Sequence, residues 1–543
     1  MKPLQIQIYD TTLRDGTQRS DVSLSLVDKL RIARKLDELG VAFIEGGWPG
    51  SNPKDVEFFR QAAEMEWQNA LICAFGSTRR ANAGPEDDPN ILALLDAQTP
   101  VCTVFGKTWN LHVTDVLRTT VDENLHMIED SLAYLSSRGK RVIYDAEHFF
   151  DGYKADPAYA LETLRAAVRG GAEMVVLCDT NGGTMPWEVA SFTRDVRAAI
   201  PGPIGIHTHN DGECAVANTL AAVNEGAVHV QGTINGIGER CGNANLCAAI
   251  PDLEIKMGMR CLPEGALPRL YELSHFVSEV ANLTPNEHMA YVGRSAFAHK
   301  GGVHVHAIRR VERSYNHIDP TLVGNEMRVV VSELSGKANL LSKAEEYGVE
   351  LGSGESVPQV LQELKAQEAK GFSYEAAEAS VIVMLQRRQP GYVPPFELID
   401  FSTNVEHRQG RGIFAEATVK VRVGSEVYHT AAEGNGPVRA LDEALRKALM
   451  GMYPQVQQIQ LADYKVRILD GDSGTAATTR VLIDTRCDLA GEVVRWSTVG
   501  ASANIIEASW QALQDAYEYG LMVAMGNGHV VETVAAAAKV PGG

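Results

Sequence analysis

The feature that most constrains the fold is a regular alternation of short apolar runs and amphipathic stretches in the first half of the chain. Eight apolar runs occur there, spaced roughly 25 to 40 residues apart. Between them apolar residues recur at helical spacing, as in LSLVDKLRIARKLDELG, where a glycine ends the pattern. Strands that alternate with helices are typical of a parallel sheet. The runs occupy residues 4–9, 41–45, 71–75, 101–105, 141–145, 174–179, 204–209 and 228–235.

Eight strand–helix units within about 250 residues favour a closed (β/α)8 TIM barrel, which is an α/β fold. The competing structure is an open, doubly wound sheet, which would need fewer strands. No G-x-G-x-x-G motif follows the first run to support that alternative. We therefore predict a TIM barrel over residues 1–265.

A change of pattern divides the rest of the chain. Residues from about 265 to 385 are mostly helical in pattern, and Pro394 and Pro395 then mark a boundary. From about residue 396 the pattern is rich in strands, interrupted by two helices that each follow a strand and a turn of small residues. We predict a mainly helical linker region over residues 266–392 and a separate C-terminal α+β domain over residues 393–535, with a weak internal repeat of strand, turn and helix.

The composition limits the classes of partner. The chain has 543 residues and a formal net charge of -19, which argues against DNA or RNA because phosphate binding requires a basic surface. The same charge argues against an anionic membrane surface, and no apolar run reaches the ~18 residues of a membrane-spanning helix. Because MKPLQIQIYD has no apolar signal-peptide segment and the eight cysteines form no C-x-x-C pair, we expect a cytoplasmic protein with reduced cysteines.

The segment IGIHTHND on the seventh predicted strand carries the strongest local signal for chemistry. Side chains two residues apart on a strand share a face, so His207 and His209 project together. At the carboxyl end of a barrel strand that face opens on the active site. Two imidazoles so placed are suitable metal ligands, and a pair of hydrogen-bonded core histidines is the alternative.

Five further polar groups map to the same end of the barrel. Arg14 and Asp15 follow the first strand, where the carboxylate could complete a metal site and the arginine could stabilise an oxyanion. Asn243, in the glycine-rich segment after the eighth strand, could add an oxygen ligand. Glu45 and Glu147 lie at the ends of the second and fifth strands. A loop salt bridge is the alternative for the charged residues, and a plain glycine-rich loop is the alternative for the last segment.

These motifs, taken in order, resemble the DRE-TIM metallolyase superfamily and, within it, the α-isopropylmalate, homocitrate and citramalate synthases. The resemblance rests on DTTLRDGTQ, IEGGWPGSNP, DAEHFFDG, CDTNG, HTHND and GIGERCGNANL, and it continues through SAFAHKGGVHVHAI and LSGKANL. It extends into a C-terminal segment similar to the regulatory domain of these enzymes, so it covers nearly the whole chain. The activity it implies is the condensation of acetyl-CoA with a small 2-oxo acid, with release of CoA.

The resemblance also implies a metal site. A divalent ion such as Mg2+, Mn2+, Co2+ or Zn2+ would be held by Asp15, His207, His209 and Asn243. Two nitrogen and two oxygen ligands suit these ions. Arg14 would contact the oxo-acid oxygen and stabilise the alkoxide that forms there.

Other matching positions concern the two substrates. Glu147 would help to hold the oxo acid, Thr180 of CDTNG would bind its carboxylate, and Glu45 matches the acidic residue of the superfamily signature. His304 of GGVH matches the base that removes a proton from acetyl-CoA, and Tyr315 would support it. Histidine suits that step because it titrates near neutral pH.

The identity of the oxo acid depends on the segments AFGSTRRANAG and VFGKTWNLHV, which look like the citramalate-synthase subgroup. Phe105 and Trp109 could narrow the acyl pocket to fit pyruvate, with core packing as the alternative. A few side chains could change the choice to 2-oxoisovalerate, because a pocket distinguishes substrates by only ~1–3 kcal/mol per methylene. The resemblance further implies a homodimer and feedback by a branched-chain amino acid, which would be isoleucine for a citramalate route and leucine for the alternative. A domain kept only for dimerisation is the other interpretation.

Two other functions stay open on the sequence alone. A lyase of the same superfamily would have the same metal site, although the long linker and the C-terminal domain favour the synthases. A non-catalytic metal- or amino-acid-binding sensor on an inactive barrel is the second alternative, and the intact set of candidate residues argues against it.

Overall fold

The computed structural model describes residues 4–299, 304, 307–308, 310–311, 314–329, 356–375, 377–389, 391–410, 412–469, 474, 476–489, 492–526 and 533–535. Contacts within the chain define two units. The first comprises residues 1–297 and 318–326, and the second comprises residues 298–317 and 327–543. The predicted domain boundaries near residues 265 and 392 stay predictions.

The first unit contains a closed barrel of eight parallel strands, which confirms the predicted TIM barrel. Each strand pairs with the next along the chain, and β1 closes the barrel by pairing with β8, where Gln7 lies opposite His229. Closure leaves the sheet without a free edge. The strands are β1 (Gln7–Asp10), β2 (Phe43–Gly47), β3 (Leu71–Ser77), β4 (Val101–Lys107), β5 (Arg141–Glu147), β6 (Met174–Asp179), β7 (Ile204–Thr208) and β8 (His229–Gly232).

Helices pack on the outside of these strands. Ser25 begins the first of them with a capping box: its hydroxyl accepts a hydrogen bond from the Asp28 backbone, and the Asp28 carboxylate accepts one from the Ser25 backbone. Ile32 and Leu36, one turn apart, form part of its buried face. The helices of this unit are α1 (Leu26–Leu39), α2 (Pro53–Ala62), α3 (Pro89–Asp96), α4 (Val121–Ser137), α5 (Phe149–Ala155), α6 (Pro157–Arg169), α7 (Pro186–Ala199), α8 (Ala215–Asn224), α9 (Leu246–Pro251) and α10 (Leu270–Val280).

Side chains alternate between the inside and the outside of the barrel. On β8, Val230 joins the large core between strands and helices, whereas His229 contacts the rings of Tyr9 and Phe43 inside the barrel. Gln231 shares the inward face with His229, two residues nearer the carboxyl end. The apolar interior consists of Tyr9, Phe43, Cys73, Val101, Ile143, Met174, Val176 and Cys178.

The eighth strand is shorter than the sequence predicts. The apolar pattern runs over residues 228–235, but β8 ends at Gly232, and Asn235 adopts a φ of 62°. A strand cannot continue through this left-handed conformation. The chain turns away instead, and the loop that follows returns Asn243 to the mouth of the barrel.

The second unit begins with short elements. β9 (Ala298–His299) pairs in parallel with β10 (Arg328–Val329), and two helices follow, Ser356–Glu368 and Glu378–Gln386. A bilayer crossing would need a longer and more apolar helix than any in the described ranges of the chain.

The rest of the second unit repeats one arrangement, which confirms the predicted α+β domain. Three antiparallel strands are followed by a helix, and the helix packs on the sheet that precedes it. The predicted repeat of strand, turn and helix therefore has two more strands in each copy. The first copy is β11 (Glu397–Arg408), β12 (Gly412–Val423), β13 (Glu426–Gly434) and the helix Pro437–Leu449; the second is β14 (Ile459–Ile468), β15 (Thr479–Leu489), β16 (Glu492–Ser502) and the helix Ile505–Ala524, with β17 (Thr533–Ala535) added beside β16.

Candidate active site

Four buried polar side chains converge at the carboxyl ends of β1, β7 and β8. Asp15 follows β1, His207 lies in β7 with His209 just after it, and Asn243 belongs to the loop after β8. The Nε2 atoms of the two histidines are 3.2 Å apart. The Asp15 Oδ2 atom lies 3.4 Å from Nε2 of His207 and 4.0 Å from Nε2 of His209. Ligand atoms of these three side chains all lie within 4.8 Å of one another, so they could hold one metal ion.

The backbone of the loop after β8 brings Asn243 to this group. Ala244 donates a hydrogen bond to the carbonyl oxygen of Thr208 at 2.9 Å, so the loop runs along the end of β7. Gly242 has a φ of +94°, and a Cβ atom there would lie 2.0 Å from the carbonyl oxygen of Gly236. This path of the chain therefore requires glycine at residue 242.

The orientation of the Asn243 carboxamide decides whether these four side chains fit a metal ion. Its Nδ2 atom donates to Asp15 Oδ2 at 2.8 Å and lies 3.3 Å from Nε2 of His207. Its Oδ1 atom is buried and has no hydrogen-bond partner among the residues described. A half-turn of the carboxamide exchanges the two atoms and places an oxygen beside Asp15 and His207. The residues then offer two nitrogen and two oxygen ligands, a set that suits a divalent ion.

Burial and neighbouring charges set the protonation of these groups. Burial lowers the pKa of His207, and it lowers the pKa of His209 to about 3, so both imidazoles are neutral at pH 7. Burial alone would raise the pKa of Asp15, but the charge of the Arg14 guanidinium opposes it most strongly, and that pKa falls to about 2. Neutral imidazoles and an ionised carboxylate are the forms that bind metal ions.

Arg14 lies against this group in a fixed orientation. Its Nε and Nη2 atoms donate to the two carboxylate oxygens of Glu45 at 2.9 and 3.3 Å, and its guanidinium lies 3.9 Å from the centre of the Phe75 ring. Its Nη1 atom is 3.6 Å from Asp15 Oδ2. Burial would lower the pKa of Arg14, but Glu45 and Asp15 more than offset this, so the guanidinium stays charged.

An aromatic cluster forms the wall beside that guanidinium. Phe75 stacks on Phe105 with ring centres 5.2 Å apart, and Trp48 meets the two rings edge-on at 5.9 and 5.5 Å. Of these three rings the sequence singles out only Phe105, as a residue that could narrow the acyl pocket. Trp109 lies outside the cluster, stacked on the ring of His112 at 5.1 Å. The two aromatic residues predicted to narrow the acyl pocket therefore contact different neighbours.

Glu147 and Thr180 lie at the ends of β5 and β6. The Glu147 carboxylate pairs with the ammonium of Lys107, which the sequence did not single out. The hydroxyl oxygen of Thr180 accepts a hydrogen bond from the backbone N–H of His148 at 2.9 Å, and its carbonyl oxygen accepts one from Arg240 at 2.6 Å. The Thr180 hydroxyl can therefore donate its own hydrogen to a bound ligand.

The candidate base His304 and its predicted supporter Tyr315 belong to the second unit. Their rings stack with centres 4.2 Å apart, and both side chains are exposed. His299, close in sequence, lies instead with Nε2 2.8 Å from Oδ1 of Asn316. His306 and the segment LSGKANL, residues 334–340, lie outside the described residues. The roles of His304 and Tyr315 stay predictions.

The fold and the site together define a class, a TIM-barrel enzyme with a candidate metal centre at the carboxyl ends of its strands. Family models agree with this description. The HMGL-like model matches residues 5–277, the homocitrate synthase post-HMGL domain-like model matches residues 291–371, and the LeuA allosteric (dimerisation) domain model matches residues 375–521. The chain belongs to the HMGL-like family.

Several relatives resemble the chain over nearly its whole length. An (R)-citramalate synthase of Geobacter sulfurreducens is 54% identical, over 95% of this chain and 97% of its own length. One of Synechocystis sp. is 52% identical, over 96% and 97%. A 2-isopropylmalate synthase of Methanocaldococcus jannaschii is 31% identical, over 94% of both chains. These relatives confirm the predicted group of α-isopropylmalate, homocitrate and citramalate synthases.

Proposed function

We propose that this protein condenses acetyl-CoA with pyruvate to give (R)-citramalate and free CoA. The observation that carries the proposal is the buried group of Asp15, His207, His209 and Asn243, with Arg14 directly beside it. The (R)-citramalate synthases at 52% and 54% identity support pyruvate as the oxo acid.

The four buried side chains hold one divalent ion in this proposal. The ionised carboxylate, the two neutral imidazoles and the amide oxygen of Asn243 after its half-turn suit Mg2+, Mn2+, Co2+ or Zn2+. When bound, such an ion supplies Lewis-acid polarisation of the ketone of the oxo acid.

Residues around the ligands bind and orient the oxo acid. Arg14 donates a hydrogen bond to the ketone oxygen as negative charge develops on it, because Glu45 already fixes its other donors. A donor that is in place beforehand needs no reorganisation when the charge forms. Thr180 donates its hydroxyl hydrogen to the substrate carboxylate, and Glu147 holds the substrate from β5.

His304 is the proposed base for the second substrate. It removes a proton from the methyl group of acetyl-CoA, and Tyr315 supports its ring by stacking. The resulting enolate carbon bonds to the ketone carbon of pyruvate, whose oxygen becomes the hydroxyl of the product. Water then cleaves the thioester and releases CoA, which makes the reaction favourable.

The C-terminal domain is proposed to form a homodimer and to bind an end-product amino acid. The match of residues 375–521 to the LeuA allosteric (dimerisation) domain supports both parts. Isoleucine is the expected effector for a citramalate route, and leucine is the alternative.

The test is release of free CoA from acetyl-CoA with Mg2+ or Mn2+ present, with pyruvate, 2-oxobutyrate, 2-oxoisovalerate and 2-oxoglutarate in parallel. We expect release with pyruvate, loss of release with a chelator, and loss in His207→Ala. His126→Ala is the matched control, because His126 is an exposed histidine on α4. Release with 2-oxoisovalerate and none with pyruvate would replace the proposal by a 2-isopropylmalate synthase. No release with any oxo acid would favour the lyase or the sensor.

A further inference from the structure

The two histidines of the candidate metal site are held differently by their surroundings. Nδ1 of His207 lies 3.0 Å from Oε1 of Gln231. Nδ1 of His209 is buried and has no hydrogen-bond partner in the part of the chain that the structure describes. The partner of the second ring nitrogen decides which nitrogen carries the proton and how the ring is oriented. Gln231 is the residue that makes this difference, because of these two rings it contacts only that of His207.

Gln231 is fully buried, and neighbouring strands fix it at both ends. The pairing of β7 with β8 places it directly opposite His207. Its Nε2 atom donates to Oδ1 of Asp145 at 2.9 Å and lies 3.5 Å from Nε2 of His229. In this orientation the amide oxygen of Gln231 faces His207 and its amide nitrogen faces Asp145.

We infer that Gln231 is a positioning residue for the metal site. Its amide oxygen accepts the Nδ1–H of His207, which leaves Nε2 of that ring unprotonated and turned toward Asp15. Asp145 holds the other end of the amide and so acts on His207 through Gln231. The inference rests on the proposed function, because it concerns the ligand that His207 provides.

Binding of Mn2+ measured by titration calorimetry tests the inference without any substrate. Gln231→Leu has a similar length and removes the acceptor, whereas Gln231→Glu keeps an acceptor for His207. We expect Gln231→Leu to weaken Mn2+ binding by about 10- to 100-fold, as loss of an outer-shell partner does elsewhere. Gln231→Glu is expected to retain most of the affinity.

Thr103→Val is the matched control. It removes another buried hydrogen bond inside the barrel, 2.7 Å long, between the hydroxyls of Thr103 and Tyr9, and it should leave Mn2+ affinity unchanged. The visible absorption spectrum of bound Co2+ is the second readout, because its intensity reports ligand geometry. We expect this spectrum to change in Gln231→Leu and to be preserved in Thr103→Val.

The outcomes separate two kinds of failure. If Gln231→Leu does not fold, as judged by circular dichroism, Gln231→Asn takes its place, since its amide is one methylene too short to keep both contacts. A folded variant with unchanged Mn2+ affinity and an unchanged Co2+ spectrum overturns the role of Gln231 and leaves the metal site standing. No Mn2+ binding by the unmodified protein overturns the proposed metal site together with the inference.

Discussion

The barrel mouth has two sides that hold their polar groups in different ways. The ligand side consists of Asp15, His207, His209 and Asn243; the acyl side consists of Trp48, Phe75, Phe105, Lys107 and Glu147. Ligand-side residues are at most 5% exposed and contact one another. On the acyl side, the side chains of Lys107 and Glu147 are 18% and 23% exposed and form a single ion pair. The ligand side is therefore organised by contacts among its own residues, whereas Lys107 and Glu147 stay partly open to solvent.

Organisation of the ligand side has a cost in stability. Burial lowers the pKa of both histidines and works against the charge of Asp15, which Arg14 offsets. Removing polar and charged groups from water costs free energy unless their partners compensate. The acyl side gains contacts from stacked aromatic rings instead. Substitutions on the two sides should therefore affect activity and stability in different proportions.

Removing a ligand should give the largest effect. In His207→Ala we expect CoA release to fall by at least about 1,000-fold, because Lewis-acid stabilisation contributes several kcal/mol and each 1.36 kcal/mol is tenfold. The thermal midpoint of the metal-free protein should also fall, because the buried amide oxygen of Gln231 loses its partner. Steady-state kinetics and calorimetry measure the two quantities. If His207→Ala kept a tenth of the normal rate of CoA release, the ligand side would have no essential role in catalysis.

The next effect should come from Arg14, which lies between the two sides. Arg14→Lys keeps the charge but loses the planar fork toward Glu45, so we expect kcat to fall by about 100- to 1,000-fold. Arg141→Lys is the matched control, because Arg141 makes a similar forked pair with Glu173 at the opposite end of β5. An equal fall in kcat in both variants would show that Arg14 contributes only to stability.

A smaller effect should separate the aromatic residues of the acyl side. Phe105→Ala opens the wall formed with Trp48 and Phe75, so kcat/KM for 2-oxobutyrate relative to pyruvate should rise by about 10- to 200-fold. Trp109→Ala should leave this ratio unchanged, because its ring stacks on His112 instead. The two ratios come from parallel assays of CoA release. If only Trp109→Ala changed the ratio, Trp109 and not Phe105 would line the acyl pocket.

One further effect falls on stability instead of activity, and it concerns pH and the buried carboxyl of Asp145. Burial raises its pKa to about 8. The folded protein therefore keeps a proton that the unfolded chain releases above about pH 4. Because of this, the contribution of Asp145 to the free energy of unfolding is complete below about pH 4 and is lost as the pH rises to about 8. Asp145→Asn cannot lose that proton. Its free energy of unfolding relative to the unmodified chain should rise between these values, by at most about 1.4 kcal/mol per pH unit.

Urea unfolding of the metal-free protein at several pH values measures that slope. Asp87→Asn, at an exposed position, is the control. A difference between Asp145→Asn and the unmodified chain that is constant from pH 5 to pH 8 would contradict the prediction.

The sequence predicts those parts of the molecule that depend on local pattern. β6 has the predicted bounds, residues 174–179, because a buried parallel strand is a continuous apolar run. The sequence also brings Asp15, His207, His209 and Asn243 to one end of the barrel, since each follows or ends a strand. It fails at the end of β8, which stops at Gly232 although the predicted run extends to residue 235.

Residues whose partners lie on other strands were missed. Gln231 becomes informative only when the β7–β8 register sets it beside His207, and barrel closure, not local sequence, sets that register. The signal available in the sequence is that Gln231 lies two residues after His229, so the two side chains share one face of the strand. Trp48 and Lys107 were missed for a similar reason, because their contacts come from β3, β4 and β5.

Closure of the barrel has a consequence for the nascent chain. The hydrogen bond from Asn243 to Asp15 spans 228 residues, and β1 meets β8 across a similar separation. Contacts so distant in sequence form slowly, because the entropy of closing the loop is lost before they contribute. On the ribosome, β1 must wait for β8 to emerge, so the candidate metal site cannot assemble until nearly half of the chain has been synthesised. In the two copies of three strands and a helix that follow, each strand pairs with one that is close in sequence, so pairing can begin soon after synthesis.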